Sequence, residues 1–179
     1  LIARFSDVKV LPSPGTALAA IRASVDWNAA DTEARVNSLV RQAVVTYVGA
    51  YMKSGDDVLV TYDDRSQPVS LKREWLGILA ASPYFQQYSP PLRDHLAEYP
   101  RRPLAGARDI IYWVKEKYTG LKPVISIVHG VIAQDPARPE RTVVAQKQLY
   151  ASHYYDGSLA IASATSATLM PRSPSRLNV

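Results

Sequence analysis

Residues 124–133, "VISIVHGVIA", carry six β-branched residues in ten positions and read as a β-strand. Upstream of Pro123 the chain is helix-patterned, and downstream it is β-rich. The strand is apolar on both of its alternating faces, which predicts a place in a sheet covered on both sides. Gln134–Arg141, "QDPARPER", is turn-prone and predicts a long-looped hairpin into a second β segment over Thr142–Tyr155. That segment spans about 45 Å if straight at ~3.3 Å per residue, more than a typical strand. It is expected to bend, as strands of curved sheets do, or to break near Asp156-Gly157.

Before Pro123 the period is helical. Val36, Leu39, Val40, Val44, Tyr47, Val48 and Tyr51 recur every three or four residues. They predict a helix over about 32–53, with Asp31 as N-cap and Gly55 as stop. A β-like run at Val8–Leu11 and a small helix over Thr16–Val25 precede it. Asp56–Asp64 fits either a short strand or a capped helical turn. Ser70 predicts a helix start running to about Ala81, with Leu71, Trp75, Ile78 and Leu79 inward. Ser82-Pro83 and Ser89-Pro90 predict two more starts, because proline is favoured in a first turn. A further helix is predicted over about 106–118, closed by Gly120. Helices first and strands last give an α+β class: a helix-rich N-terminal two-thirds packed on a curved antiparallel sheet. One domain is expected over 1–162, then a Ser/Thr/Pro-rich, poorly ordered tail over 163–179.

Composition narrows the chemistry. The hydrophobic fraction of 47% against 21% charged residues is that of a chain able to build a core. No apolar run approaches the ~20 residues of a membrane-spanning helix. A net charge of +5 is too modest to argue for nucleic acid, which is not expected as a partner. The absence of cysteine removes disulfides, thiolate metal sites and a cysteine nucleophile. No GxGxxG, GxxxxGK[ST] or GxSxG pattern occurs. Arg101, Arg102, Arg108, Lys115, Lys117 and Lys122 form a basic region that reads as a solvated face, with anionic head-group contact as the minority reading.

The most reactive-looking stretch is Lys147–Gly157, "KQLYASHYYDG". In a regular strand Gln148, Tyr150, Ser152 and Tyr154 share one face, and Lys147, Leu149, Ala151, His153 and Tyr155 the other. Ser152 and His153 then cannot act as a nucleophile–base pair. The tyrosine row either lines a cavity for an apolar or amphipathic ligand or packs under a helix. His129 lies mid-strand, and no acidic residue stands beside it or His153 at a spacing such as HExxH, so neither a metal nor a cofactor is expected. The pairs Asp56-Asp57 and Asp63-Asp64 read as turn and cap residues.

The run "DIIYWVKEKYTGLKPVISIVHGVIA" and the later "VVAQKQLYASHYYDGSLAI" resemble a family of uncharacterised exported bacterial proteins. That family carries a Tyr-Trp-x-Lys-Glu element, here 112–116, then "LKPVIS" and a strand ending "KQxYASHY". "VDWNAADTEARVNSLVRQAVVTYVGAY" and "SPYFQQYSPPLRDHLAEYP" fit the same likeness, which covers most of 7–162. The resemblance implies a periplasmic or secreted location. In plan it is loosely similar to the START-like helix-grip fold, whose members usually enclose a hydrophobic ligand, and by that plan the chain is expected to be incomplete at both ends. It implies non-catalytic binding of an apolar or amphipathic small molecule, such as a lipid, near Tyr150, Tyr154, His153, His129 and Trp113. The alternatives are an enzyme using His153 with Lys147 or Tyr155 as general acid or base, and a structural envelope-associated protein.

Overall fold

The computed structural model describes residues 22–62, 66–135, 138–152 and 154–166. The expected strand at Val8–Leu11 and most of the helix expected over Thr16–Val25 lie outside them. Helix α1 (Thr32–Ser54) leads into a 3-10 turn at Gly55–Val58 and a two-stranded ribbon of β1 (Thr61–Tyr62) and β2 (Val69–Ser70). Helices α2 (Leu71–Ala80), α3 (Pro83–Tyr88) and α4 (Pro90–Glu98) follow. An antiparallel sheet of β3 (Arg108–Glu116), β4 (Val124–Asp135), β5 (Arg138–Ala151) and β6 (Leu159–Thr165), in that spatial order, closes the described chain. The α+β class holds. Among the described residues no helix is long and apolar enough to cross a membrane.

The helix signals act through the expected chemistry. Ser70 Oγ accepts from the Arg73 amide at the start of α2, and Pro83 and Pro90 occupy the first turns of α3 and α4. Asp31 stands at the N-cap of α1 without a side-chain capping bond; Thr32 Oγ1 instead donates to the Ala29 carbonyl at 2.6 Å. Gly55 ends α1 at φ 63°, and a Cβ there would meet the Tyr99 carbonyl oxygen at 1.8 Å. Only glycine fits. The ambiguous Asp56–Asp64 stretch resolves into the 3-10 turn and then β1, with 63–65 outside the described residues.

Three expectations are corrected. The helix expected over 106–118 is strand β3, paired along its whole length with β4. Ile110, Ile111, Tyr112, Trp113 and Val114 satisfy a helical period only by being apolar in a block; their β-branched and aromatic side chains suit a pleated surface. The long hairpin loop is also absent, since β4 and β5 pair out to Asp135 and Arg138. Finally, β6 runs to Thr165 and pairs with β5, so the ordered domain extends past Ala162. Residues 167–179, most of the expected tail, are outside the described residues.

One face of the sheet is roofed by the helices. Trp75 and Leu79 of α2, Phe85 of α3 and Leu92 and Leu96 of α4 pack with Val131, Ala133, Val143 and Ala145. A second cluster joins Tyr51 of α1 to Leu59, Val60, Leu71, Ile127, Leu149 and Tyr150. The register puts Ile111, His129 and Lys147 side by side on this roofed face. The other face carries Tyr112, Val114, Val128, Gln146 and Gln148.

Candidate functional site

A single extra residue in β5 decides what each side chain of "KQLYASHYYDG" can reach. Val128 pairs with Gln148 but Ile127 pairs with Tyr150, which leaves Leu149 as a bulge. A bulge shifts the alternation by one. Tyr150 therefore joins Lys147 on the roofed face, with Tyr62 at a ring separation of 6.2 Å, while Gln148 stays on the opposite face. The expected common row of Gln148, Tyr150, Ser152 and Tyr154 is broken at its second member. β5 ends at Ala151, and Ser152 continues the pairing by exchanging bonds with Ile125: its amide donates to the Ile125 carbonyl at 2.9 Å and its Oγ accepts from the Ile125 amide at 3.0 Å.

The remaining expected residues scatter. Tyr154 sits at φ 69°, half exposed, its hydroxyl accepting from the Lys122 amide. Trp113 is 67% exposed on the edge strand, so it lines neither face's interior. His153 lies outside the described residues. Lys147 is fully buried under the helices whereas Tyr155 is on the opposite, open side, so these two do not share a face as expected.

The open face holds a groove of about 390 Å³. Tyr112, Val114, Val128, Ala160 and the Tyr155 ring supply its apolar surface; Ser126, Gln146, Gln148, Ser158 and Glu116 supply polar atoms. Gln148 is nearly buried, at 5% exposure, and its amide nitrogen has no partner among the described residues. Along the rim Tyr155 donates to the Tyr118 hydroxyl at 3.1 Å, which donates to Glu116 at 3.1 Å. These bonds hold the Tyr155 ring across the groove although the chain there is irregular.

On the roofed face His129 belongs to a polar cluster that the sequence did not announce. Its Nε2 and the Nε2 of His95 both lie 2.8 Å from Asp109 Oδ1. His129 Nδ1 meets the Tyr51 hydroxyl at 2.9 Å, and His95 Nδ1 meets the Arg102 carbonyl at 2.7 Å. Tyr99 stacks on Tyr51 at 5.3 Å and lies 4.5 Å from the His129 ring. Burial pushes His129 down to about 4, against the pull of Asp109, so its ring is neutral at pH 7. Burial also raises Tyr51, leaving a phenol that donates. At Asp109 burial acts upward, but the hydrogen bonds from both histidines outweigh it and hold the carboxyl below its ordinary value. Sequence spacing could not reveal this cluster, because its members come from α1, α4, β3 and β4.

Comparison with family models, with curated proteins and with solved structures gives no match for this chain. What the protein does must be argued from these two faces.

Proposed function

We propose that the protein binds a small, neutral, amphipathic molecule without transforming it, in the groove on the open face of the sheet. The observation that carries this reading is Gln148: its side chain lines a groove of aromatic and aliphatic side chains, and its buried amide nitrogen has no partner among the described residues. An unsatisfied buried donor costs about 1–3 kcal/mol, a cost that an acceptor oxygen of a ligand removes. The apolar body of such a ligand would lie against Tyr112, Val128 and Tyr155. Glu116 on the rim disfavours an anion. A volume near 390 Å³ falls at the small end of ligand pockets and supports a compact molecule rather than a long acyl chain. The likeness to exported proteins supports a ligand met in the periplasm or outside the cell.

Native mass spectrometry of freshly purified chain, with solvent extraction, tests the reading directly. A neutral amphiphile released on extraction is the expected result. Adding that molecule back should shift the Gln148 side-chain amide resonance, and Tyr112→Ala should weaken it at least about tenfold. An apo mass, together with no Gln148 shift from a panel of small neutral amphiphiles, would refute it.

A further inference from the structure

On the opposite face from the groove, we propose that His95, His129 and Asp109 form a binding site for one divalent transition-metal ion of the Zn²⁺ type. The three side chains come from α4, β4 and β3, and each offers a ligand atom within 4.8 Å of the others. Two imidazole nitrogens and one carboxylate oxygen are a donor set suited to a borderline divalent cation and poorly suited to Mg²⁺ or Ca²⁺.

Proton counting sharpens the case. The Arg102 carbonyl only accepts, so His95 Nδ1 carries a proton. Tyr51 donates to His129 Nδ1, which puts the His129 proton on Nε2, donated to Asp109. His95 Nε2 faces the same Asp109 oxygen at 2.8 Å. Two ring nitrogens thus converge on one carboxylate oxygen, the arrangement that a single shared cation would bridge. A divalent ion takes the Nε2 lone pair of both rings: any Nε2 proton of His95 leaves to solvent, and the Nε2 proton of His129 moves to Nδ1, so the His129 ring stays neutral. His129 then carries its proton on Nδ1 and donates it to the Tyr51 oxygen.

The outer partners are already those of ligating histidines: a carbonyl on one ring and a hydroxyl on the other, fixing ring orientation and tautomer. Ligand atoms around a tetrahedral Zn²⁺ stand about 3.3 Å apart, given bonds of 2.0–2.1 Å. The 2.8 Å contacts therefore need to open by about half an ångström. Both histidines are buried, but a third of the Asp109 side chain is exposed. That side gives the ion a way in and leaves a coordination position for water.

The chain, stripped with chelator and dialysed, is titrated with Zn²⁺, Co²⁺ and Mg²⁺ by calorimetry, with visible absorption for Co²⁺. One equivalent of Zn²⁺ or Co²⁺ should bind, and Mg²⁺ should not compete. Asp109→Asn, which keeps size and a hydrogen-bonding group, should lower Zn²⁺ affinity at least tenfold with the circular dichroism spectrum unchanged. Tyr51→Phe, which removes only an outer partner, should lower it roughly 10–100-fold. No binding, or Zn²⁺ binding unaltered in Asp109→Asn, overturns the proposal. Should the variants fail to fold, nitrogen-15 spectra of the wild-type histidines decide: neither Nε2 should carry a proton at saturating Zn²⁺, and a His95 ring that stays doubly protonated would show a plain charged relay instead.

Discussion

Lys147 Nζ lies 2.5 Å from Asp56 Oδ1 in the middle of the helix–sheet interface, the two side chains 0% and 8% exposed. The ammonium also donates to the Leu96 carbonyl at 3.0 Å and sits 4.4 Å over the Trp75 ring. This ion pair ties the turn after α1 and the end of α4 to β5, one of the two inner strands of the sheet. Lys147→Met should cost about 3–5 kcal/mol, because it leaves a buried carboxylate without its cation. Asp56→Asn with Lys147→Met should recover most of that loss. Urea unfolding of the two variants checks both; equal stabilities would mean that the pair is not coupled.

The same pair should leave a mark at alkaline pH. Burial pushes Lys147 down to about 8 from an ordinary 10.5, against the pull of Asp56. Between those values the unfolded chain holds more protons than the folded one, so unfolding is progressively disfavoured as pH rises. Relative to the Asp56→Asn/Lys147→Met variant, the wild type should gain roughly 3 kcal/mol between pH 8 and 10.5. Burial raises Asp56, against the pull of Lys147. A flat difference across the alkaline range would show that the lysine keeps its proton.

Gly55 predicts a second kind of sensitivity. Its φ of 63° and the Tyr99 carbonyl 1.8 Å from a notional Cβ make alanine both strained and sterically blocked. Gly55→Ala should destabilise by more than ~1 kcal/mol, whereas Gly49→Ala, at a helical position with open space around it, should stabilise by several tenths to ~1 kcal/mol. Thermal unfolding of the pair separates a local backbone requirement from a general effect of losing glycine.

The limits of the sequence can be located residue by residue. Elements with chemical end-markers were legible: Ser70, Pro83, Pro90 and Gly55 each mark a boundary that the fold uses. β3 was misread because Ile110–Val114 is a solid apolar block, where helical and strand periods cannot be told apart. The bulge at Leu149 has no turn residue or glycine to announce it, so face assignments beyond it were inverted. From the sequence Lys147 reads only as a candidate acid or base beside His153; its partner Asp56 is 91 positions away and becomes adjacent only when α1 docks on the sheet. His95 and Asp109 were invisible as a site for the same reason: their proximity to His129 is a product of packing, not of spacing.

Gln148 offers the test that separates stability from binding. Its amide nitrogen is buried with no partner among the described residues and its side chain lines the groove, which makes the residue poor for the empty fold and useful for a ligand. Gln148→Leu keeps similar volume, removes the unsatisfied donor and adds apolar contact with Val128, its neighbour across the strands. Stability in the absence of ligand should hold or rise by about 1 kcal/mol, since an unpaired buried polar group is replaced by carbon. Affinity for the extracted amphiphile should fall by roughly tenfold, the worth of one hydrogen bond to a buried donor. Lys147→Met, on the roofed face, should show the reverse pattern, with stability lost and intrinsic affinity of the folded fraction kept. A Gln148→Leu variant that loses stability would mean that the amide is already paired inside the fold, and the groove would then have no donor waiting for a guest.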